Sequence, residues 1–188
     1  MNKAELRKRY RAMRMALIPQ ERQQLSERML RQFEMIKLPV PAIVMSYRPI
    51  AHPAEFDPAA VEQSLLRQFP QTRFCYPKVH NTDMDTFIFV EGKSRWDSSG
   101  WGIPEISEGA IVAPEHIDLI IVPLLIFDRK GFRVGYGKGY YDRFLQHCRS
   151  DILTLGFSYF DPAGEINDLH TSDMRLRYGI TPERVYEF

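Results

Sequence analysis

Apolar positions recur at helical spacing in the first part of the chain and at strand spacing after it. Leu6, Tyr10, Met13 and Leu17 share one side of a segment over residues 3–17, with Lys3, Arg7, Arg11 and Arg14 on other sides, as for solvated basic residues. Asn2 is placed to cap this helix and Pro19 to end it, and Pro19 also suits the first turn of a second helix. The second helix is predicted to reach about residue 36, burying Leu25, Met29, Phe33 and Ile36. Pro39 and Pro41 then stiffen a linker.

Strands and helices alternate from there. Residues 42–47 form a short apolar strand, and Asp57-Pro58 opens a helix continued by Val61, Leu65, Leu66 and Phe69. Strands are predicted over 73–79 and 86–90, either side of the turn-forming His80-Asn81-Thr82-Asp83. Residues 91–115, rich in Gly, Ser, Pro and acids, predict a long loop. The nearly continuous apolar run 117–123 fits a strand covered on both faces. A turn at Asp128-Arg129-Lys130-Gly131 leads into a glycine-rich stretch, a helix over 140–148, a buried strand over 152–157 and a closing strand near 184–186. This succession predicts an α/β fold, a central mostly parallel sheet flanked by helices, with residues 1–188 forming a single domain.

Composition narrows the classes. A net charge of +1 gives no global electrostatic case for nucleic acid or a membrane surface, although residues 3–37 are clearly basic. Cys75 and Cys148 match no metal-binding spacing and are expected to be packed, reduced thiols. The charged N-terminus lacks the apolar core of a secretory signal, and the longest apolar run carries Asp118 and Pro123, so the chain is expected to be cytoplasmic.

Candidate chemistry concentrates in Gly135-Tyr136-Gly137-Lys138-Gly139-Tyr140-Tyr141-Asp142. Alternate glycines clear side chains from the backbone and permit φ > 0, so that N–H groups can converge on an anion beside a helix start. Lys138 adds a positive charge for phosphate oxygens, and Asp142 can ligate Mg2+ directly or through water. The alternative is a glycine-rich turn with Asp142 as a first-turn acid, because the spacing is neither that of a Walker loop nor that of a dinucleotide fold.

The longer string, from Val122-Pro123-Leu124-Leu125-Ile126-Phe127-Asp128 through Gly131-Phe132-Arg133-Val134 to Asp142-Arg143, resembles the signature of the 5-formyltetrahydrofolate cyclo-ligase family. The likeness extends to the Lys3…Arg7 helix, the region from Ser46 to Glu55-Phe56-Asp57, Trp101-Gly102-Ile103-Pro104 and the tail. It implies a fold like that of ribose-5-phosphate isomerase and CoA transferases, and ATP-dependent conversion of 5-formyltetrahydrofolate to 5,10-methenyltetrahydrofolate with release of ADP and phosphate. It further implies an ATP site from Lys3, Arg7 and the loop Gly135 to Tyr141, with Arg133 and Lys138 assisting the phosphates. Mg2+ would fall to Asp142 and Asp173, Asp168 lying near the second, and the folate to Met45, Glu55, Trp101 and Tyr140. The partner expected is this small molecule, with no nucleic acid and no membrane, and the protein is expected to act as a monomer.

The sequence departs from the family pattern in two places. Eight residues, Tyr47 to Ala54, separate Ser46 from Glu55, a longer connection than usual, and Pro58 replaces a common threonine. The connection is expected to bulge and return Glu55 to position. Other readings are a different small-molecule enzyme on the same fold and a non-catalytic relative that binds RNA or protein through its basic helices.

Overall fold

The structure, a computed structural model, describes residues 1–50, 54–80, 83–89, 96–98, 104–106 and 109–188. Its framework is a seven-stranded sheet in the order β11-β10-β9-β6-β1-β2-β3. The strands are β1 (Ile43–Met45), β2 (Arg73–His80), β3 (Asp83–Ile88), β6 (Leu119–Val122), β9 (Leu153–Phe157), β10 (Tyr178–Ile180) and β11 (Val185–Glu187). The five inner strands are parallel, and β3 and β11 close the two edges antiparallel. A mostly parallel α/β sheet is therefore what the sequence pattern led us to expect.

Side chains alternate across the inner strands, and each face acquires its own core. On one face Val44, Phe74, Leu119, Ile121, Leu155 and Phe157 pack with Met29 and Phe33 of α2 (Pro19–Glu34) and Val61 and Leu65 of α3 (Ala59–Gln68). On the other, Ile43, Met45, Cys75, Ile120 and Val122 pack with Phe144 and Leu145 of α4 (Tyr140–Leu145). Each fully buried side chain of this size contributes roughly 1.5–3 kcal/mol. Among the described residues, no helix is long and apolar enough to cross a membrane.

The first helix, α1 (Lys3–Ala16), is capped as expected, with the Asn2 side chain accepting from the Glu5 N–H and Glu5 returning the bond. Its buried stripe differs from the predicted one. Leu6, Tyr10 and Arg14 are the buried residues, whereas Met13 is exposed. An arginine displaced a methionine because this stripe faces polar groups of the loop after β6, not only apolar core.

Other departures are local. The region read as one long loop contains two short antiparallel strands, β4 (Trp96–Ser98) and β5 (Pro104–Ile106), and a 3-10 turn at Pro114–His116. A small hairpin of β7 (Ile126–Phe127) and β8 (Arg133–Val134) flanks the predicted turn. The helix expected over 140–148 is only six residues long. Cys75 and Cys148 are free thiols, as anticipated, and burial pushes them up to about 12 and about 11.

The topology fixes where a ligand belongs. From β1 the chain crosses through α3 to β2 on one side, while from β6 it crosses through α4 to β9 on the other. The crevice beyond the carboxyl ends of β1 and β6 is thus a topological switch point, the usual ligand position in such sheets.

At the opposite end of these strands, Asp118 fastens their entry. One carboxylate oxygen accepts the Ala42 and Ile43 N–H groups at 2.9 and 3.0 Å, and the other accepts from Arg149 at 3.1 Å. Burial pushes the carboxyl up, but the two N–H groups and Arg149 outweigh it and hold it below the usual value. Replacing Asp118 by Asn should destabilise the fold by roughly 1–2 kcal/mol at pH 7. Because the folded-state carboxyl titrates lower, its contribution is complete above the unfolded value and lost as pH falls through the folded one. Urea unfolding of wild type and variant should therefore converge below about pH 4.

Candidate active site

Both strands at the switch point hand the chain to polar segments. After β6 comes the β7–β8 hairpin, whose turn is closed by fully buried Asp128 accepting the Lys130 and Phe132 N–H groups at 2.9 and 3.0 Å. Arg133 and Val134 then deliver the glycine loop. Gly137 (φ +90°) and Gly139 (φ +71°) occupy the left-handed region, so side chains there would be strained. A Cβ on Gly137 would also lie 3.1 Å from the Arg7 guanidinium carbon. Arg7 itself donates through Nε to the Gly135 carbonyl at 2.9 Å.

This loop forms one side of a cleft of about 220 Å³ lined by Lys3, Gly137, Gly139, Asp142, Arg143, His170, Ser172 and Asp173. Three distant segments thus meet: the start of α1, the loop and the tail. Lys3 is tied in twice, its Nζ donating to Asp173 at 2.5 Å and its backbone N–H to Asp168 at 2.7 Å. Asp168 anchors backbone, whereas Asp173 faces the cleft. Burial pushes the Asp173 carboxyl up, but Lys3 and the His170 N–H prevail and hold it low.

Asp142 also lines the cleft. Its Oδ1 accepts from Arg133 Nη2 at 2.9 Å and from the Met174 N–H at 3.1 Å. The Arg133 guanidinium is buried and also donates to the Met174 carbonyl at 2.7 Å. Arg133, expected to assist the phosphates, holds Asp142 and the tail together. Asp142 and Asp173 each use a single oxygen in these bonds among the described residues, so each keeps acceptor capacity for a ligand. Two such carboxylates beside glycine N–H groups fit Mg2+, which is commonly held by one or two carboxylates with phosphates and water completing the octahedron.

The other wall follows β1. Ser46 Oγ donates to Glu62 Oε1 at 2.5 Å, and Arg48 spans both Glu62 oxygens at 3.0 and 3.2 Å. Arg48 also donates to the Tyr76 hydroxyl, which donates on to Glu62, and its guanidinium lies 4.3 Å from the Tyr76 ring centroid and 4.9 Å from that of Trp96. The long connection is thereby pinned at its start. At its end Ala54 adopts φ +55°, an uncommon conformation for a side-chain-bearing residue, immediately before Glu55. Glu55 is buried, with the Ile50 N–H on Oε2 at 2.9 Å and the Tyr136 hydroxyl on Oε1 at 2.7 Å. Glu55 thus lies against the glycine loop, through Tyr136.

Behind Tyr136 stands Arg14, donating to its hydroxyl at 2.6 Å and to the Leu124 carbonyl at 3.0 Å. Burial pushes the Glu55 carboxyl up; the Ile50 N–H, the Tyr136 hydroxyl and the Arg14 charge oppose that shift without cancelling it. Tyr141 brings a buried hydroxyl with no partner among the described residues. Met45 is fully buried in the α4-side core, among residues that include Tyr140 and Tyr141, and offers no exposed surface. Trp101 lies outside the described residues.

The sequence reading left Arg14 as a solvated charge and gave no role to Arg48 or Glu62. Arg14 had one signal: it lies seven residues, two helical turns, after Arg7 on the same face. Arg48 and Glu62 had none, because their pairing depends on how the long connection folds.

The family model of 5-formyltetrahydrofolate cyclo-ligases matches residues 1–158. The chain belongs to this family. It is 29% identical over 168 residues to the 5-formyltetrahydrofolate cyclo-ligase of Mycoplasma pneumoniae, covering 88% of this chain and 90% of that protein. It is 25% identical over 182 residues to the Escherichia coli K12 protein of the same name, covering 93% and 97%. The solved 5,10-methenyltetrahydrofolate synthetase of Aquifex aeolicus superposes with a TM-score of 0.78 at 29% identity, over all of this chain and 93% of that one. The cyclo-ligase family is a family of ligases, and the fold and the family resemblance read from the glycine loop are thus both shown.

In this member of the cyclo-ligase family, the bond to Arg133 also gives Asp142 a part in stability. Asn at this position leaves the buried Arg133 guanidinium without its counter-charge. The variant should lose about 1–3 kcal/mol in urea unfolding, and Arg133→Met in the same background should recover part of that loss.

Proposed function

We propose that the chain catalyses the ATP- and Mg2+-dependent cyclisation of 5-formyltetrahydrofolate to 5,10-methenyltetrahydrofolate, releasing ADP and phosphate. The observation that carries this reading is the adjacency of Tyr136 and Gly137. The Tyr136 side chain reaches Glu55 at 2.7 Å, while Gly137 lines the cleft with Lys3, Asp142 and Asp173. One peptide link therefore separates a wall suited to phosphates from a wall bearing a buried carboxylate.

The chemistry needs this adjacency. A formyl oxygen is a poor leaving group, so the γ-phosphoryl group is transferred to it and ADP departs. Folate N10 then attacks the activated carbon, the N10 proton is lost, and phosphate leaves as the ring closes. Protein groups mainly position the reactants and balance charge on the moving phosphoryl group. In this reading Lys3, Arg7 and Lys138 meet the phosphates, and the loop from Gly135 to Tyr141 shapes their path. Asp142 and Asp173 hold Mg2+, which neutralises phosphate charge, and Arg133 keeps Asp142 in place. Glu55 accepts paired N–H groups of the pterin, and Tyr140 and Trp101 border the folate. Met45 serves from beneath, through packing. We read residues 1–188 as one domain, working as a cytoplasmic monomer without nucleic-acid or membrane partners.

Pure protein mixed with Mg-ATP and 5-formyltetrahydrofolate should form the methenyl product, followed by its absorbance. No ATP-dependent product at high enzyme concentration refutes the reading. Lys3→Ala should raise the KM for ATP about tenfold or more while leaving the folate KM within about twofold, and Glu55→Gln should do the reverse. Equal effects on both substrates would remove these residues from separate walls.

A further inference from the structure

Arg14 is 2% exposed, carries a permanent charge and, among the described residues, pairs directly with no carboxylate. Its three nitrogens divide unequally. One donates to the Leu124 carbonyl, one to the Tyr136 hydroxyl, and Nε has no partner among the described residues. A buried guanidinium without a counter-charge is costly, so its balance must come from further along the network. Glu55, one hydroxyl away, is that balance.

The donors and acceptors fix the direction of this relay. An arginine can only donate, so the Tyr136 oxygen accepts from Arg14 and its one proton turns to Glu55. The second Glu55 oxygen already accepts the Ile50 N–H. Both oxygens therefore act as acceptors, which is the bonding pattern of the ionised carboxylate. Among the described residues' bonds to Glu55, protonation would leave either its own proton or that of Tyr136 without an acceptor.

From this geometry we propose that Arg14 is a positioning residue, which acts through the Tyr136 hydroxyl to keep Glu55 oriented and ionised at the folate wall. The groups facing Glu55 come from four segments: Arg14 from α1, Tyr136 from the glycine loop, Tyr141 from α4 and Tyr47 from its own connection. Burial raises all three tyrosines well above the working range, so they stay neutral. The Ile50 N–H and the Tyr136 hydroxyl oppose the desolvation of Glu55 first, and Arg14 adds a positive charge to them through the same hydroxyl. Folate recognition suffers when it is lost, because a neutral carboxyl offers one acceptor fewer.

The proposal rests on the cyclo-ligase reading only for its kinetic consequence, so the deciding measurement is independent of turnover. In protein carrying 13C-labelled glutamate, the Glu55 carboxyl signal is assigned by its absence in Glu55→Gln and titrated. Arg14→Met should move the Glu55 midpoint upward by about one pH unit or more, whereas Arg14→Lys, which keeps the charge, should shift it less. Tyr136→Phe, which retains Arg14 but removes the relay, should also raise it, and this variant decides the matter if Arg14→Met does not fold. A midpoint unchanged in the folded variants overturns the proposal. In kinetics, the acid limb of kcat/KM for folate should move with the midpoint, folate KM should rise about tenfold and ATP KM should change by less than about twofold. Arg14→Met should add nothing further to folate KM in a Glu55→Gln background. Parallel losses for both substrates with an unmoved acid limb would mark Arg14 as merely structural. A wild type inactive toward 5-formyltetrahydrofolate would sink the cyclo-ligase reading and leave the titration result standing.

Discussion

Buried charge at the carboxyl ends of β1 and β6 is the constraint around which this molecule is arranged. Arg14, Glu55, Glu62 and Arg133 are all more than nine-tenths buried, yet lie beside a sheet whose interior is otherwise apolar. An isolated ion in such surroundings is prohibitively expensive, and each is tied to an opposite charge either directly or through one tyrosine hydroxyl. Two of the solutions share one form, an arginine donating to a tyrosine hydroxyl that donates to a glutamate: Arg14–Tyr136–Glu55 and Arg48–Tyr76–Glu62. Because the hydroxyl must turn its proton to the carboxylate, each relay specifies orientation as well as proximity. Both act on the same connection, one where it leaves β1 and one where it returns with Glu55.

That pairing holds the segment between β1 and α3 near both of its ends. Extra length in a loop costs little entropy in itself; the difficulty is aiming Glu55. Here Ser46 and Arg48 are locked to Glu62 of α3, and Ala54 takes a left-handed conformation that turns the chain. Tyr136 then receives the carboxylate. The strain at Ala54, of order 1–3 kcal/mol, persists because the bonds on either side over-determine the path.

Legibility followed the physics of each segment. The apolar runs of β6 and β9, buried on both faces, could be read because every position obeys one rule, and the glycine loop because left-handed backbone restricts the residue type. Arg14 could not, since helical spacing shows which face a residue shares but not whether that face meets water or a polar relay. Met13 looked the better core residue on hydropathy alone, and the buried Leu124 carbonyl reversed the choice. Strand β10 escaped notice because three residues with a central glycine carry no periodicity; Gly179 is there because a Cβ would come within 2.6 Å of the Phe127 ring. The Arg48–Glu62 pair was invisible for a related reason: fourteen residues separate partners that only the folded connection brings together.

Helix α1 joins the two walls into one object. Lys3, Arg7 and Arg14 are four and seven residues apart, so all three project from one side of a helix over about 16 Å. Lys3 holds the tail through Asp173, Arg7 holds the Gly135 carbonyl and Arg14 holds Tyr136. The glycine loop is itself too short of side chains to fix its own shape, so this helix is its external brace. A shift of α1 along its axis cannot disturb the cleft beside Lys3 and Gly137 without also moving the hydroxyl that faces Glu55. The two sides of the site thus share a mechanical element, and under the proposed function a single packed helix, rather than two independently tuned loops, would bring the reacting ends of two substrates into register.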